Sequence, residues 1–267
     1  MNRYHINPET GNPNKCSAKP GNCPFKAEHY DTKEEARAAY ENKQAGSLNM
    51  FARMEDMSRE PLNEDLLPWV TDGPFGRFLN HPLVQDMMVD MMPGLANQRY
   101  LHNKKAAEDA YARGDWGRYV FIHERPFRAE KLYELHIDGI DVPKDLYEDV
   151  WIDSENIWQN QDEWNEMLVD LHERGATLGE PLDGLSDEVV IYRGSTRRNM
   201  NGLSWTLDEE KARWFAKRLL SDEDQAVVQR LVVPKSSILG YLTSRGESEI
   251  LVNPDHAYNL FENAEEV

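Results

Sequence analysis

The chain has 267 residues, 48 acidic and 30 basic, for a formal net charge of −18. Its 40 % hydrophobic and 29 % charged content is that of a soluble globular protein with material for one large domain or two small ones. A field of that sign repels phosphate backbones, so general nucleic-acid binding is not expected. The acids are interleaved with Lys and Arg, which also argues against a DNA mimic. No run of 18 apolar residues exists, so no membrane span is expected. The opening MNRYHINPETGNPNKC lacks an apolar h-region, and the expected compartment is the cytoplasm.

Residues 1–31 are poor in aliphatics and rich in Asn, Pro, Gly and Lys, and they hold both cysteines. His5, Cys16, Cys23 and His29 fall within 25 residues. Two readings stay open. A segment that cannot bury a core gains from a metal staple, and zinc accepts two cysteines with two histidines. The C-x6-C spacing is wider than the usual zinc signature, which suits two free thiols with incidental histidines. The cytosolic setting argues against a disulfide. Thr32 followed by Glu35 predicts a capping box, and Gly46 a helix stop, closing a first module at 1–46. From HINPETGNPNKCSAKPGNCP to HYDTKEEARAAYE, the segment also looks similar to a leader module on diverse proteins of phages and their bacterial hosts. For a phage protein that implies work in the host cytoplasm.

Residues 47–150 form a second region of unknown role. Pro61, Pro68, Pro74, Pro82 and Pro93 punctuate its first half, which predicts short helices and turns, with the clearest helix over 97–114. The helical pattern continues to 185. Trp158, Trp164, Leu168 and Leu171 share one helical face, and Gly175 ends it.

At Val189 the pattern changes to short β-branched or aromatic runs: VVIYRG, GLSWT, AVVQRLVVP, ILGYL, SEILVNP and AYNLF. One amphipathic helix interrupts them. Thr206 and Glu209 offer its capping box, and Ala212, Phe215, Ala216 and Leu219 its buried stripe. Helices first, then strands with an inserted helix, predicts an α+β fold, with a final domain at 151–267 and a strand-rich core at 189–263.

Three fragments of that core carry chemistry. Arg193 ends an apolar strand, Ser204 and Thr206 share a strand face opposite Trp205, and Glu247 and Glu249 stand two apart before an apolar run. Singly, each reads as ordinary strand sequence. Together YRG, LSWT and ESE resemble the arginine–serine–glutamate signature of the ADP-ribosyltransferases, over about 75 residues from Val189 to Asn263. GESEILV matches the family's glutamate segment closely and LSWT more loosely. The 11 positions from Arg193 to Ser204 are a shorter connection than the family commonly has.

The resemblance implies a split-sheet core that takes NAD as co-substrate and transfers ADP-ribose to a protein side chain. It implies that Glu249 stabilises the ribosyl cation, that Ser204 holds Glu249, and that Glu247 orients an acceptor arginine. Arg193, beside Gly194, would meet the pyrophosphate, with Arg197 and Arg198 sharing that task. Trp205, Trp214 or Phe215 would stack on nicotinamide, and Thr206 completes the serine strand. The implied partner is a protein modified at arginine. Hydrolysis of NAD, or an inert interaction protein on the same fold, stand as alternatives.

Overall fold

The computed structural model describes residues 3–7, 11–18, 22–23, 28–154, 157–197, 199–218, 225–244, 246, 248–253 and 264–266, without the side chains of 45–55, 86 and 157–158. The fold is mixed α+β with mainly antiparallel sheets. Two compact units form, one from Met1–His81 and Asp86–Tyr100, the other from Pro82–Gln85 and Leu101–Val267.

The first unit begins with a small antiparallel hairpin of β1 (Tyr4–Ile6) and β2 (Pro13–Lys15), and Tyr30 bridges back to Tyr4. Ahead of β2, Gly11 takes φ 67 and donates its N–H to Asn7 O at 2.9 Å. Helix α1 (Lys33–Arg59) opens on the expected capping box, Thr32 with Glu35. It does not stop at Gly46. One interior glycine costs about 1 kcal/mol of helix propensity, too little to end a run continued by Leu48, Met50, Ala52 and Arg53.

The region expected to hold only short helices and turns contains a three-stranded sheet, β3 (Val70–Gly73), β4 (Gly76–His81) and β5 (Val84–Met88), in that order. Its prolines punctuate strands: Pro74 sits in the β3–β4 turn, and Pro82 follows β4. Pro93 is the first residue of α2 (Pro93–Ala112), where its missing N–H costs nothing. Asn97, buried, ties this unit together. Its amide donates to Glu60 Oε1 (3.0 Å) and Pro61 O (2.9 Å) and accepts from Asn63 N (2.7 Å).

The second unit starts helical, with α3 (Trp116–Ile122), α4 (Arg128–Ile137), α5 (Lys144–Asp153) and α6 (Gln161–Glu173). Strands follow: β6 (Leu178–Gly179), β7 (Glu188–Thr196), β8 (Ser204–Thr206), then α7 (Glu209–Arg218), β9 (Ala226–Pro234), β10 (Gly240–Leu242), β11 (Glu249–Leu251) and β12 (Glu265–Glu266). They form one sheet of order β12-β9-β7-β8-β11-β10-β6. The AYNLF run lies outside the described residues.

Alternation along the strands divides the core. Ile191, Trp205 and Ile250 pack on one face with Leu231 and Val233. On the other, Leu242 and Leu251 join Leu132, Val150, Trp151, Trp164 and Leu168 of the helices. The helices therefore belong to the same core as the sheet, and α5 runs through the boundary expected at 151. Helix α7 is capped by Asp208, not by the expected Thr206–Glu209 box. The Asp208 carboxylate accepts from Glu210 N (2.8 Å) and Lys211 N (3.2 Å), while Thr206 Oγ1 accepts from Asp208 N (3.1 Å). Ala212 and Ala216 form the buried stripe as expected, Phe215 is half-buried, and Leu219 lies outside the described residues.

Candidate functional site

Arg193, Ser204 and Glu249 fall on the neighbouring strands β7, β8 and β11. Glu249 pairs with Thr206 across β11 and β8, and Leu251 with Ser204. Same-face residues of paired strands stand side by side, so Ser204 and Glu249 meet on the helix-covered side. Ser204 Oγ donates to Glu249 Oε1 at 2.5 Å. Trp151 Nε1, from α5, reaches the same oxygen at 3.3 Å. Trp151 is buried and held edge-on by Trp164, with ring centroids 5.0 Å apart. One carboxylate oxygen is thereby fixed by two donors, and the site fixes the orientation of Glu249.

The backbone before Glu249 is unusual. Ser248 has φ 34, the only non-glycine among the described residues with positive φ, and its carbonyl accepts from Leu207 N at 3.1 Å. Such a conformation costs on the order of 1–3 kcal/mol and persists only where the surroundings impose it. Ser248 accordingly lies outside β11, which begins at Glu249. Glu247 itself lies outside the described residues, as does Arg198.

Arg193 is turned inward. Its Nε, Nη1 and Nη2 donate to the carbonyls of Met200 (3.1 Å), Ser204 (2.6 Å) and Asn199 (3.0 Å). Burial pushes its pKa down to about 10, against the pull of nearby Glu249, so it remains a cation at neutral pH. A Cβ on Gly202 would overlap this guanidinium, so the connection wraps directly onto Arg193. The expected phosphate ligand is thus a clamp on the loop that delivers Ser204. Arg197 is exposed and paired with Glu266 at 3.2 Å.

Gly194, Trp205 and Thr206 are packed into the fold. Gly194 lies under α7, where a Cβ would overlap the Ala212 carbonyl oxygen. Trp205 is 2 % exposed, on the core face opposite Ser204, with Nε1 donating to Gly202 O at 3.0 Å. It cannot stack on a ligand beside Glu249. Thr206 is buried. Of the aromatic candidates, Trp214 is half-exposed, with Arg218 over its ring at 5.1 Å and Phe215 edge-on at 5.0 Å.

Trp151 was not foreseen. Its signal was the buried stripe Leu146, Tyr147, Val150 and Trp151 in α5, which brings an indole N–H inside, where it needs a partner. A cleft of about 740 Å³ in the same unit was equally silent in the sequence. His136 in its wall hydrogen-bonds Tyr147 OH (2.9 Å) and stands 3.2 Å from Asp170 Oδ2, which is paired with Arg174 (2.7 Å).

The first unit holds a second candidate centre. His5, Cys16, Cys23 and His29 bring their ligand atoms within 4.8 Å of one another, so the group can hold a metal ion. Both cysteines are free thiols. Cys23 Sγ stands 3.5 Å from His5 Nδ1, and His29 Nε2 is buried without a hydrogen-bond partner among the described residues. Tetrahedral metal bonds of 2.0–2.3 Å imply ligand–ligand edges of about 3.3–3.8 Å, which the Cys23–His5 distance of 3.5 Å meets and the 4.8 Å limit exceeds by about 1 Å. The residues fit a metal.

Comparisons with protein-family models, with curated proteins and with solved structures each return no match. No helix among the described residues is long and apolar enough to cross a membrane.

Proposed function

We propose that the second unit is a mono-ADP-ribosyltransferase that moves ADP-ribose from NAD to a protein side chain, arginine by preference, and releases nicotinamide. The observation that carries this reading is Glu249, oriented by Ser204 and Trp151 at the start of β11. Breaking the nicotinamide–ribose bond develops positive, oxocarbenium-like charge on the sugar. A carboxylate already held in place stabilises that charge more than it stabilises bound NAD, which is the condition for catalysis. Glu249 Oε2 would meet the ribose while Oε1 stays tied to Ser204. Arg193 acts by positioning, because its donors hold the 199–204 connection. Trp214 on α7 is the exposed aromatic surface left for a planar ring.

The acceptor role rests on Glu247. A second carboxylate would pair with a guanidinium and orient it for attack. Water as acceptor makes the same centre an NAD glycohydrolase. Incubation with NAD, with and without an arginine-rich acceptor protein, separates the outcomes. Nicotinamide release with labelled ADP-ribose on the acceptor supports transfer, and release alone supports hydrolysis. No release at all contradicts both.

For the first unit we assign zinc to His5, Cys16, Cys23 and His29, since two sulfurs and two imidazoles are a donor set that zinc favours.

A further inference from the structure

The four metal-binding side chains are placed by backbone pairing. His5 lies in the middle of β1, opposite Asn14 of β2. Cys16 follows β2 directly, and its N–H donates to Arg3 O at 2.8 Å. The Tyr4–Tyr30 bridge, with both hydrogen bonds at 2.8 Å, lays the residue before Tyr30, His29, beside His5. The two imidazoles meet edge-on at 5.6 Å. Three of the four ligands are therefore fixed by one short three-stranded arrangement, and Cys23 is brought in against His5 Nδ1.

What surrounds them is as telling. Among the described residues before Thr32, only His5 and Pro13 are buried, and no aliphatic side chain is. A histidine occupies the place where a small domain normally keeps Leu, Ile or Val. Strand pairs this short are not stable alone in water, and a segment without a core needs another source of cohesion. All four tetrahedral positions are supplied by protein, which leaves none open for substrate or water.

We infer that this is a closed structural site, in which zinc bound through His5 Nδ1, Cys16 Sγ, Cys23 Sγ and His29 Nε2 is the core of the N-terminal module and holds β1, β2 and Tyr30 together. The inference rests on the zinc assignment and goes beyond it, because binding alone does not require the fold of the module to depend on the ion. Loss of zinc opens the β1–β2 pairing and the Tyr4–Tyr30 bridge. The sheet of the second unit has its own aliphatic core and stays closed.

The test uses the full chain. Its metal content is measured, and amide hydrogen exchange is followed before chelation, after it, and after zinc is returned. The expected result is about one zinc per chain. Chelation should strip protection from the amides of Tyr4, Cys16 and Tyr30, leave that of β7 and β9 unchanged, and be reversed by zinc. Cys16→Ser and Cys23→Ser should each lose the metal and show the opened pattern. Cys16→His, which keeps a ligand, should retain both metal and protection. A chain purified without zinc that takes up none on addition overturns the site. A chain that binds zinc but keeps the same protection at these amides after chelation overturns the structural role alone.

Discussion

Oε1 of Glu249 receives two different donors, and they can be removed separately. Ser204→Ala deletes the shorter bond without adding bulk. Trp151→Phe deletes the indole N–H and keeps an aromatic body against Trp164. A hydrogen bond to a charged group contributes about 1.5–3 kcal/mol, and each 1.4 kcal/mol is about tenfold in rate. Nicotinamide release should therefore fall about tenfold to hundredfold in Ser204→Ala and less in Trp151→Phe, through kcat more than KM. A rate unchanged in both variants would mean that Glu249 needs no fixing. Arg193 behaves differently because its partners are carbonyls of a loop. Gly202→Ala, which pushes a methyl against that guanidinium, should mimic Arg193→Ala by loosening the loop and lowering the rate. Retained activity in Gly202→Ala would separate Arg193 from the placement of Ser204.

Elements hold the site through close contacts that have no slack. Helix α7 rests on β7 at Gly194, and no side chain fits between them. Gly194→Ala should lower the thermal midpoint and displace α7, at a cost of about 1–3 kcal/mol for overpacking. A stability equal to the parent would show that the helix can shift freely. Helices α4, α5 and α6 meet around His136, where burial lowers the imidazole pKa and Asp170 only partly offsets it. The folded state thus favours neutral His136. Its contribution is present above the unfolded pKa near 6.5 and is lost as pH falls through the lower folded value. Facing it are Tyr147, Asp170, Arg174 and Glu166. The parent's thermal midpoint should drop on acidification below pH 6.5 more steeply than that of His136→Gln. Parallel curves would assign the acid sensitivity elsewhere. At this scale the sequence was informative where spacing alone decides the outcome. The α+β order, the Thr32 cap, helix α2 and strands β7, β8 and β11 all follow from local pattern. It was silent on the sheet β3–β5, because prolines that punctuate strands look the same as prolines that break helices. It misplaced the α7 cap because Thr206 and Asp208 are both good caps, and the pairing of Thr206 with Glu249 decides between them.

Over the whole molecule, the chain divides its chemistry between a unit that can hold a metal and a unit that presents an oriented glutamate. Both clusters show as residue types in the sequence. Four zinc-type ligands in an aliphatic-poor segment, and Arg, Ser and Glu on successive strands, are visible in order and spacing. Their exact uses were not. Trp151 joins Glu249 from 98 positions away, and Arg193 turns toward carbonyls contributed by its own hairpin. Such contacts come from packing, which spacing does not encode. The proposed chemistry centres on Glu249. Glu249→Gln preserves shape and a hydrogen-bond acceptor and removes only the charge, so the fold should survive while the transition state loses its counter-charge. The decisive measurement is the rate of nicotinamide release from NAD by the parent and by Glu249→Gln under the same conditions. The parent should release nicotinamide measurably, and the variant about 10²–10³-fold or more slowly. Equal rates, or no release by the parent, would contradict the proposed chemistry.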